Sequence, residues 1–419
     1  MSVEYEPLSP SFRDDPYPIY RRLRDEAPVH FAPEARMYCV SRHADVGFVL
    51  KRPDLFSSAA MTTVLSGGDL WEMGPRFVWG LVRFMLKTRI NPFQVRKRKS
   101  LISVDGERHD SLRGIVNRGF TPSRIAAWEP RVRAIVGEQL RKLGRGQPFD
   151  VIDDLAIPLP VTIIAEVLGV DAGRRVDFKR WSNALVSVMS GAARAGAPAD
   201  GLLEEVSELV LFLRETVRER RRQPGEDLVS VLVDPARDGV LDELDMVQFI
   251  VLLLVAGNET TTNLIGNAAH ALLEHRDALE RVAREPERAP ALVEEALRYD
   301  APVQVVFRTV TADAELAGTR LPRGAIVAAL LGSANRDKRA FPEPDRFDVT
   351  REPRGHLAFG FGPHFCLGAA LARLEARVAL EALAPELARC KRVGDRNARI
   401  DSFLVRGRAH LDVVAERDV

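Results

Sequence analysis

The feature that most constrains this chain is a long helical pattern at Leu241–Leu273 that is apolar on nearly every side. A helix that is hydrophobic all round is either buried in the core of a large protein or spans a membrane. Its longest apolar run, Phe249–Gly257, is far shorter than the roughly 20 residues that a bilayer requires. The segment therefore predicts a core helix, and a chain of 419 residues can bury a core of that size.

A polar run, Asn258–Thr261, follows Ala256 and Gly257 in the middle of this helix. Polar groups in such a place either bond to a neighbouring helix or mark a local widening of the helix itself at a reaction centre. Gly257 would let a flat group approach the backbone, and a threonine hydroxyl can bond back to a carbonyl and bend the helix. The residues by themselves leave both interpretations open.

A glycine-rich loop leads into Cys366, and a strong helical pattern, Leu367–Leu383, begins directly after it. The free N–H groups and the dipole of a helix N-terminus stabilise a thiolate. Gly360, Gly362 and Gly368 permit tight turns and the close approach of a flat partner. The loop indicates a thiolate that faces something large, although a lone cysteine at a helix start also suits a buried structural role.

The spacing of Phe359, Gly362, Cys366 and Gly368 in FGFGPHFCLG resembles the haem-binding signature of the cytochrome P450 family. The resemblance implies that Cys366 is the thiolate ligand of the iron in haem b. It also implies that Phe359, Gly360 and Gly368 belong to the cofactor site.

Glu295 and Arg298 lie three positions apart in a helical pattern at 291–299, so they share a helix face. They resemble the ExxR pair of the same family. The resemblance implies a structural cluster with an arginine from the following meander, for which Arg346 in FPEPDRF is the matching residue. Removing one partner from such a buried cluster would leave a charge unpaired.

The polar run of the core helix matches the family's acid–alcohol pair. The resemblance implies that Glu259 and Thr260 deliver protons during the activation of dioxygen, with Glu259 leading to solvent. It places Ala256 and Gly257 against the haem.

His109 and Arg113 are four positions apart in a helical pattern and therefore project from one helix face. Two donors at that spacing suit a carboxylate partner. The resemblance implies that these residues bind the haem propionates together with Arg308 and His364.

The implied fold is mainly α (α+β) and roughly triangular, with a small β-rich lobe near the N-terminus and a single domain over residues 1–419. Segment 57–104 is the part most particular to this chain and is expected to be a variable substrate-access region. Its apolar and basic pattern fits a loop with one amphipathic helix packed on the body. The second interpretation is a mobile flap over the substrate entrance that touches a membrane surface or lipid.

The implied reaction inserts one oxygen atom from O2 into a sizeable apolar substrate, such as a steroid, terpenoid, fatty acid or polyketide. The chain leaves no room for a fused reductase, so a ferredoxin or flavodoxin with its reductase is expected to supply electrons. Arg354, Arg373 and Arg377 predict a positive docking patch on the cysteine side.

Three other functions remain open. One is an H2O2-driven peroxygenase and another is a non-catalytic haem-thiolate binding protein, but an acid–alcohol pair favours the use of dioxygen. A third is a Cys–His hydrolase that pairs Cys366 with His356 or His364. That alternative leaves the ExxR pair without a role.

Composition excludes several classes of protein. The 60 basic and 59 acidic residues give a net charge of +1, without the basic excess of a nucleic-acid-binding protein. The three cysteines form no CxxC pair, which indicates a reducing compartment, and Cys39 and Cys390 are expected to be ordinary buried thiols. The N-terminus has no signal-peptide pattern. We therefore expect a soluble cytoplasmic monomer without an integral membrane anchor.

Overall fold

The computed structural model describes residues 3–65, 75–90, 100–143, 148–189, 199–233, 241–352, 354–394 and 398–416. Parts of segment 57–104 lie outside these ranges. So does most of Ser190–Gly201, whose small residues predict a flexible joint between helices.

Helices make up most of the described chain. They are α1 (Tyr17–Glu26), α2 (His43–Lys51), α3 (Ala60–Leu65), α4 (Pro75–Thr88), α5 (Gly106–Val116), α6 (Pro122–Ala126), α7 (Glu129–Leu140), α8 (Pro158–Val167), α9 (Arg175–Met189), α10 (Ala199–Arg222), α11 (Leu228–Leu232), α12 (Glu243–Glu274), α13 (Arg276–Arg284), α14 (Ala289–Tyr299), α15 (Leu331–Ala334) and α16 (Ala369–Leu387).

The strands are short. They are β1 (Val29–Ala32), β2 (Met37–Val40), β3 (Phe56–Ser57), β4 (Phe149–Asp150), β5 (Val305–Val310), β6 (Ala314–Leu316), β7 (Thr319–Leu321), β8 (Ile326–Leu330), β9 (Cys390–Arg392) and β10 (Asp412–Ala415). A five-stranded sheet has the order β1-β2-β8-β5-β3, and a three-stranded sheet has the order β4-β10-β9. The β2–β8 pair is parallel, with Met37 opposite Ile326. The β1–β2 hairpin near the N-terminus is thus part of a sheet that later strands complete.

The chain divides into two compact units. The first comprises residues 1–61, 122–160 and 259–419 and holds all the described strands. The second comprises residues 62–121 and 161–258 and includes α4, α5, α9 and α10. Within the first unit, α2 packs on the five-stranded sheet, and Val46, Val49 and Leu50 join the apolar core there.

Helix α12 is the long helix that the sequence predicts, and its bounds differ from the prediction by a few residues. Among the described helices, it is the one with the length and hydropathy to cross a membrane. More than half of its most apolar stretch is buried inside the protein, which is what a core helix requires. Its helical assignment is not interrupted at the polar run, so any widening there leaves the helix continuous.

Candidate functional site

The loop before Cys366 is built from tight turns. Gly360 and Gly362 have φ angles of +72° and +76°, a region that side chains other than glycine rarely adopt. A Cβ on Gly362 would lie 2.8 Å from the carbonyl oxygen of Leu50, so the α2 backbone also excludes a side chain there. The Cys366 N–H donates to the Phe359 carbonyl at 2.9 Å, which closes the loop.

The geometry after the loop agrees with a thiolate at a helix start. Cys366 is half-buried and lies three residues before Ala369, where α16 begins. The other two cysteines are of a different kind, because burial raises the pKa of Cys39 far above its usual range and that of Cys390 to about 11. They match the predicted structural thiols.

A half-buried acid that the sequence analysis missed holds this loop. Arg373 Nε and Nη2 donate to the two oxygens of Glu294 at 2.6 and 3.0 Å. His356 Nε2 lies 3.0 Å from Glu294 Oε2, and the Ala358 N–H donates to His356 Nδ1. Burial alone would raise the pKa of Glu294, but the hydrogen bonds from His356 and Arg373 lower it to about 2.

Arg373 also fixes the aromatic residue of the signature. Its guanidinium carbon lies 4.6 Å from the centre of the Phe359 ring. Glu294 therefore ties the start of the loop to α16 on the other side of Cys366. No signal in the sequence pointed to this acid beyond its position next to Glu295.

Glu295 and Arg298 form a fully buried pair on α14, as the ExxR resemblance implies. Arg298 donates to both oxygens of Glu295 at 2.7 and 2.8 Å. It also donates to the backbone carbonyl of Asn335, directly after α15, and to those of Pro344 and Arg346 in the meander that follows.

The prediction for Arg346 is wrong in one respect. Only its backbone joins the cluster, because its side chain is 63% exposed and lies near Glu343 and Asp348. The meander arginine that reaches Glu295 is Arg351, whose Nε is 3.6 Å from Glu295 Oε2. Arg351 also donates to the carbonyls of Pro342 and Glu343, so its side chain points inwards.

The polar run of α12 combines buried and half-buried side chains. Thr262, the residue directly after the run, donates to the Ala156 carbonyl at 2.9 Å and so contacts a neighbouring segment. Glu259 and Thr260 are half-buried, and burial raises the pKa of Glu259. Ala256 is exposed in spite of its central place in a core helix. Both interpretations of the run remain predictions.

The four residues predicted to donate hydrogen bonds to the haem propionates lie on a helix, a strand and a 3-10 turn. His109 is buried on α5, with Nδ1 3.0 Å from Asp110 Oδ1, and Arg113 follows one turn later and donates to Asn117. Arg308 is buried on β5 and donates to the Phe307 carbonyl. His364 ends the short 3-10 turn before Cys366.

Helix α16 carries a buried acid that the sequence analysis also did not single out. Glu375 is 3% exposed, and burial raises its pKa to about 8. Among the described residues, its Oε2 has no hydrogen-bond partner. The pattern contained a signal, because Glu375 lies four residues after Leu371 and three before Val378 on the apolar side of the helix.

Glu375→Gln is expected to stabilise the fold at alkaline pH. An unfolded glutamate titrates near 4.3 and the folded one near 8, so the folded state binds an extra proton between these values and stability falls as the pH rises. Glutamine cannot ionise. The hydrogen-bond partners that a buried amide lacks cost the variant the same at every pH, so its stability relative to the wild type should be about 4 kcal/mol higher at pH 8 than at pH 4.5. Urea denaturation at both pH values measures this, and a gain that does not depend on pH would contradict it. Glu381→Gln, on the same helix but paired with Arg133 and Arg377, is the control that should lose stability.

The donor chemistry fits a thiolate-ligated haem. Within the first unit, Cys366 can supply the thiolate, and Arg308 and His364 can supply hydrogen-bond donors for a carboxylate. His109 and Arg113 of the second unit are donors of the same kind. A Cβ placed on Gly257 would meet no heavy atom within 4 Å, so the backbone of α12 can be approached there.

Comparison with known proteins identifies the family. The Cytochrome P450 family model matches residues 82–384. The erythromycin C-12 hydroxylase of Saccharopolyspora erythraea is 37% identical over 398 residues, which cover 94% of this chain and 92% of that protein. The structure of CYP109Q5 from Chondromyces apiculatus has a TM-score of 0.83 and 36% identity, with 99% of both chains covered. The structure of CYP109E1 from Bacillus megaterium in complex with testosterone has a TM-score of 0.80 and 33% identity, covering 96% of this chain and 99% of that one.

These likenesses extend over nearly the whole chain, and they confirm the mainly helical fold with a small sheet region. Members of the family bind haem b through a cysteine thiolate. The chain therefore belongs to the cytochrome P450 family and is a cytochrome P450 monooxygenase.

Proposed function

We propose that this monooxygenase hydroxylates a sizeable apolar molecule in the size range of a macrolide or a steroid, with electrons from a separate ferredoxin or flavodoxin. When bound, haem supplies the oxygen-activating chemistry, which a thiolate ligand favours. In this proposal, Cys366 is that ligand. His109, Arg113, Arg308 and His364 bind the propionates.

The residue that carries the dioxygen-dependent part of the proposal is Glu259. Its carboxyl is half-buried beside Thr260, and the raised pKa keeps a proton on it closer to neutral pH than an exposed glutamate would. We assign proton delivery to this pair, in which Glu259 would hold the proton and the Thr260 hydroxyl would pass it on. A group whose pKa lies closer to neutral pH suits general acid catalysis.

The apolar stretch before this pair supports an apolar substrate. Leu252, Leu253 and Val255 are only half-buried and Ala256 is exposed, although α12 is a core helix. Apolar side chains left uncovered in this way suit an apolar ligand. The relatives agree in kind, since one is named for hydroxylation of erythromycin and another was crystallised with testosterone.

A substrate panel tests this proposal. Macrolides, steroids, terpenoids and fatty acids are added to the holoenzyme, and the shift of the haem absorption band gives each affinity. Products formed under ¹⁸O2 with a ferredoxin and its reductase should carry one labelled oxygen. Selective binding of a small, charged compound would contradict the proposed substrate class.

Of the three arginines predicted to dock the electron donor, two are held in ion pairs and one is exposed. Arg373 is held by Glu294, and Arg377 is held by Glu129 and Glu381. Arg354 is 91% exposed, with a contact only to the exposed Glu352 among the described ion pairs.

A groove of about 580 Å³ lies at the cysteine loop in the first unit. Its wall includes Phe48, Phe361 and Phe365, which are 39 to 44% exposed, next to Lys51 and Arg354. We infer that this groove receives an acidic redox protein, because exposed aromatic side chains next to cations favour such a partner.

Phe361→Ala combined with Arg354→Ala is therefore expected to slow reduction by the ferredoxin about tenfold while substrate affinity stays unchanged. Stopped-flow reduction under carbon monoxide measures the rate. Arg346→Ala removes an exposed cation that does not line the groove, and it is the control. Equal reduction rates in the wild type and the double variant would refute the groove as the docking site.

A further inference from the structure

The outward side of α4 is apolar, where a surface helix normally carries polar residues. Val78, Trp79, Val82 and Leu86 are 42, 60, 38 and 74% exposed. At 100° per residue, these four side chains fall within an arc of about 100° around the helix axis. They are referred to below as the α4 stripe. Single exposed apolar residues are common on proteins, but a contiguous patch marks an interaction surface.

The opposite side of α4 is held within the second unit, so the stripe is not the packing face of the helix. Helix α4 packs against α10. Arg214 of α10 donates to the Thr88 carbonyl at 2.6 Å, and Glu204 pairs with Lys87 and lies 3.7 Å from Arg83. These contacts fix the rotation of α4 and leave the stripe facing outwards.

The sequence that contains the stripe is strongly basic. Residues 75–104 contain eight lysines and arginines and no aspartate or glutamate, in a chain whose net charge is only +1. Arg83 and Lys87 follow Trp79 by one and two turns and flank the stripe on one side. A basic helix with tryptophan and leucine on its apolar face is typical of helices that lie in the surface of an anionic membrane.

The same charge argues against a second copy of the chain as the partner that covers the stripe. In a two-fold dimer through the stripe, each basic segment would face its own copy, and like charges repel. An anionic surface is attracted instead, by about 1 kcal/mol for each nearby basic residue.

We propose that α4 is a peripheral membrane contact. The stripe enters the boundary between headgroups and acyl chains of an anionic bilayer, and Arg83, Lys87 and Arg89 contact the lipid phosphates. The contact is superficial and reversible, so it differs from a membrane-spanning anchor. It does not depend on the proposed substrate class.

Vesicle sedimentation of the holoenzyme tests the proposal. Wild type should pellet with vesicles of phosphatidylcholine plus phosphatidylglycerol and far less with phosphatidylcholine alone, and high salt should release it. Trp79→Gln combined with Leu86→Gln should lower the bound fraction at least about tenfold. The matched control is Val176→Gln on α9, because Val176 is 81% exposed in the same unit but lies outside the basic segment. It should bind like the wild type.

Two further readouts keep the test decisive. Brominated lipid should quench the fluorescence of Trp79, as the difference between wild type and Trp79→Phe shows. Circular dichroism checks folding, and Leu86→Gln alone replaces the double variant if that protein misfolds. Equal binding of the stripe variant and the wild type, or no preference for anionic vesicles, would overturn the proposal. A wild-type dimer that is lost in the stripe variant would also overturn the proposal.

Discussion

Glu295→Gln is expected to lower the free energy of unfolding by about 3 to 5 kcal/mol, which is a large share of the stability of a typical protein. The carboxylate is fully buried and receives two hydrogen bonds from Arg298 and one from the Asp348 N–H. Glutamine keeps the shape but removes the charge, so the guanidinium of Arg298 remains buried without a counterion. Urea denaturation and the loss of bound haem on heating measure the effect.

The two meander arginines provide matched variants. Arg351→Ala should cost about 1 to 3 kcal/mol, because its buried side chain is 3.6 Å from Glu295 and donates to two carbonyls. Arg346→Ala should cost less than about 0.5 kcal/mol, because that side chain is exposed. The reverse ranking would restore Arg346 as the third member of the cluster. A Glu295→Gln protein as stable as the wild type would contradict the role of the pair.

Glu259→Gln and Thr260→Ala are each expected to lower product formation from O2 about a hundredfold. Both variants remove a group that we assign to proton delivery, and neither changes the cysteine loop. Electron consumption should continue and yield hydrogen peroxide instead of product. Reactions driven by added H2O2 should stay within about threefold of the wild type, because that oxidant already carries its protons.

Thr262→Val is the control for this pair. Its hydroxyl bonds to the Ala156 carbonyl, so its loss should lower stability and leave turnover per bound haem unchanged. If Glu259→Gln and Thr260→Ala lose the H2O2 reaction as severely as the O2 reaction, proton delivery is not their role. If neither reaction changes, the peroxygenase alternative gains support.

Local sequence patterns predicted the elements that bear the chemistry. The core helix, the helix after Cys366 and the paired Glu295 and Arg298 all follow from short spacings, because residues a few positions apart have fixed relative directions on a helix. The positive φ angles of Gly360 and Gly362 likewise fit the turns expected of a glycine-rich loop.

Contacts between distant segments could not be predicted in the same way. Arg346 and Arg351 both occur in the meander, and only its turns decide which side chain points inwards to Glu295. Glu294 meets His356 and Arg373 across 62 and 79 positions, where no helical spacing applies. The docking patch stays a prediction, and the acidic partners of Arg373 and Arg377 on other helices were not visible in the sequence.

The absorption spectrum of the reduced protein with carbon monoxide tests the thiolate assignment most directly. The wild type should show a strongly red-shifted Soret band, as expected of thiolate-ligated haem, and Cys366→Ser should lose that band while Cys390→Ser keeps it. A preparation without haem, a carbon monoxide complex with the spectrum of histidine ligation, or a red-shifted band that survives in Cys366→Ser would contradict the assignment.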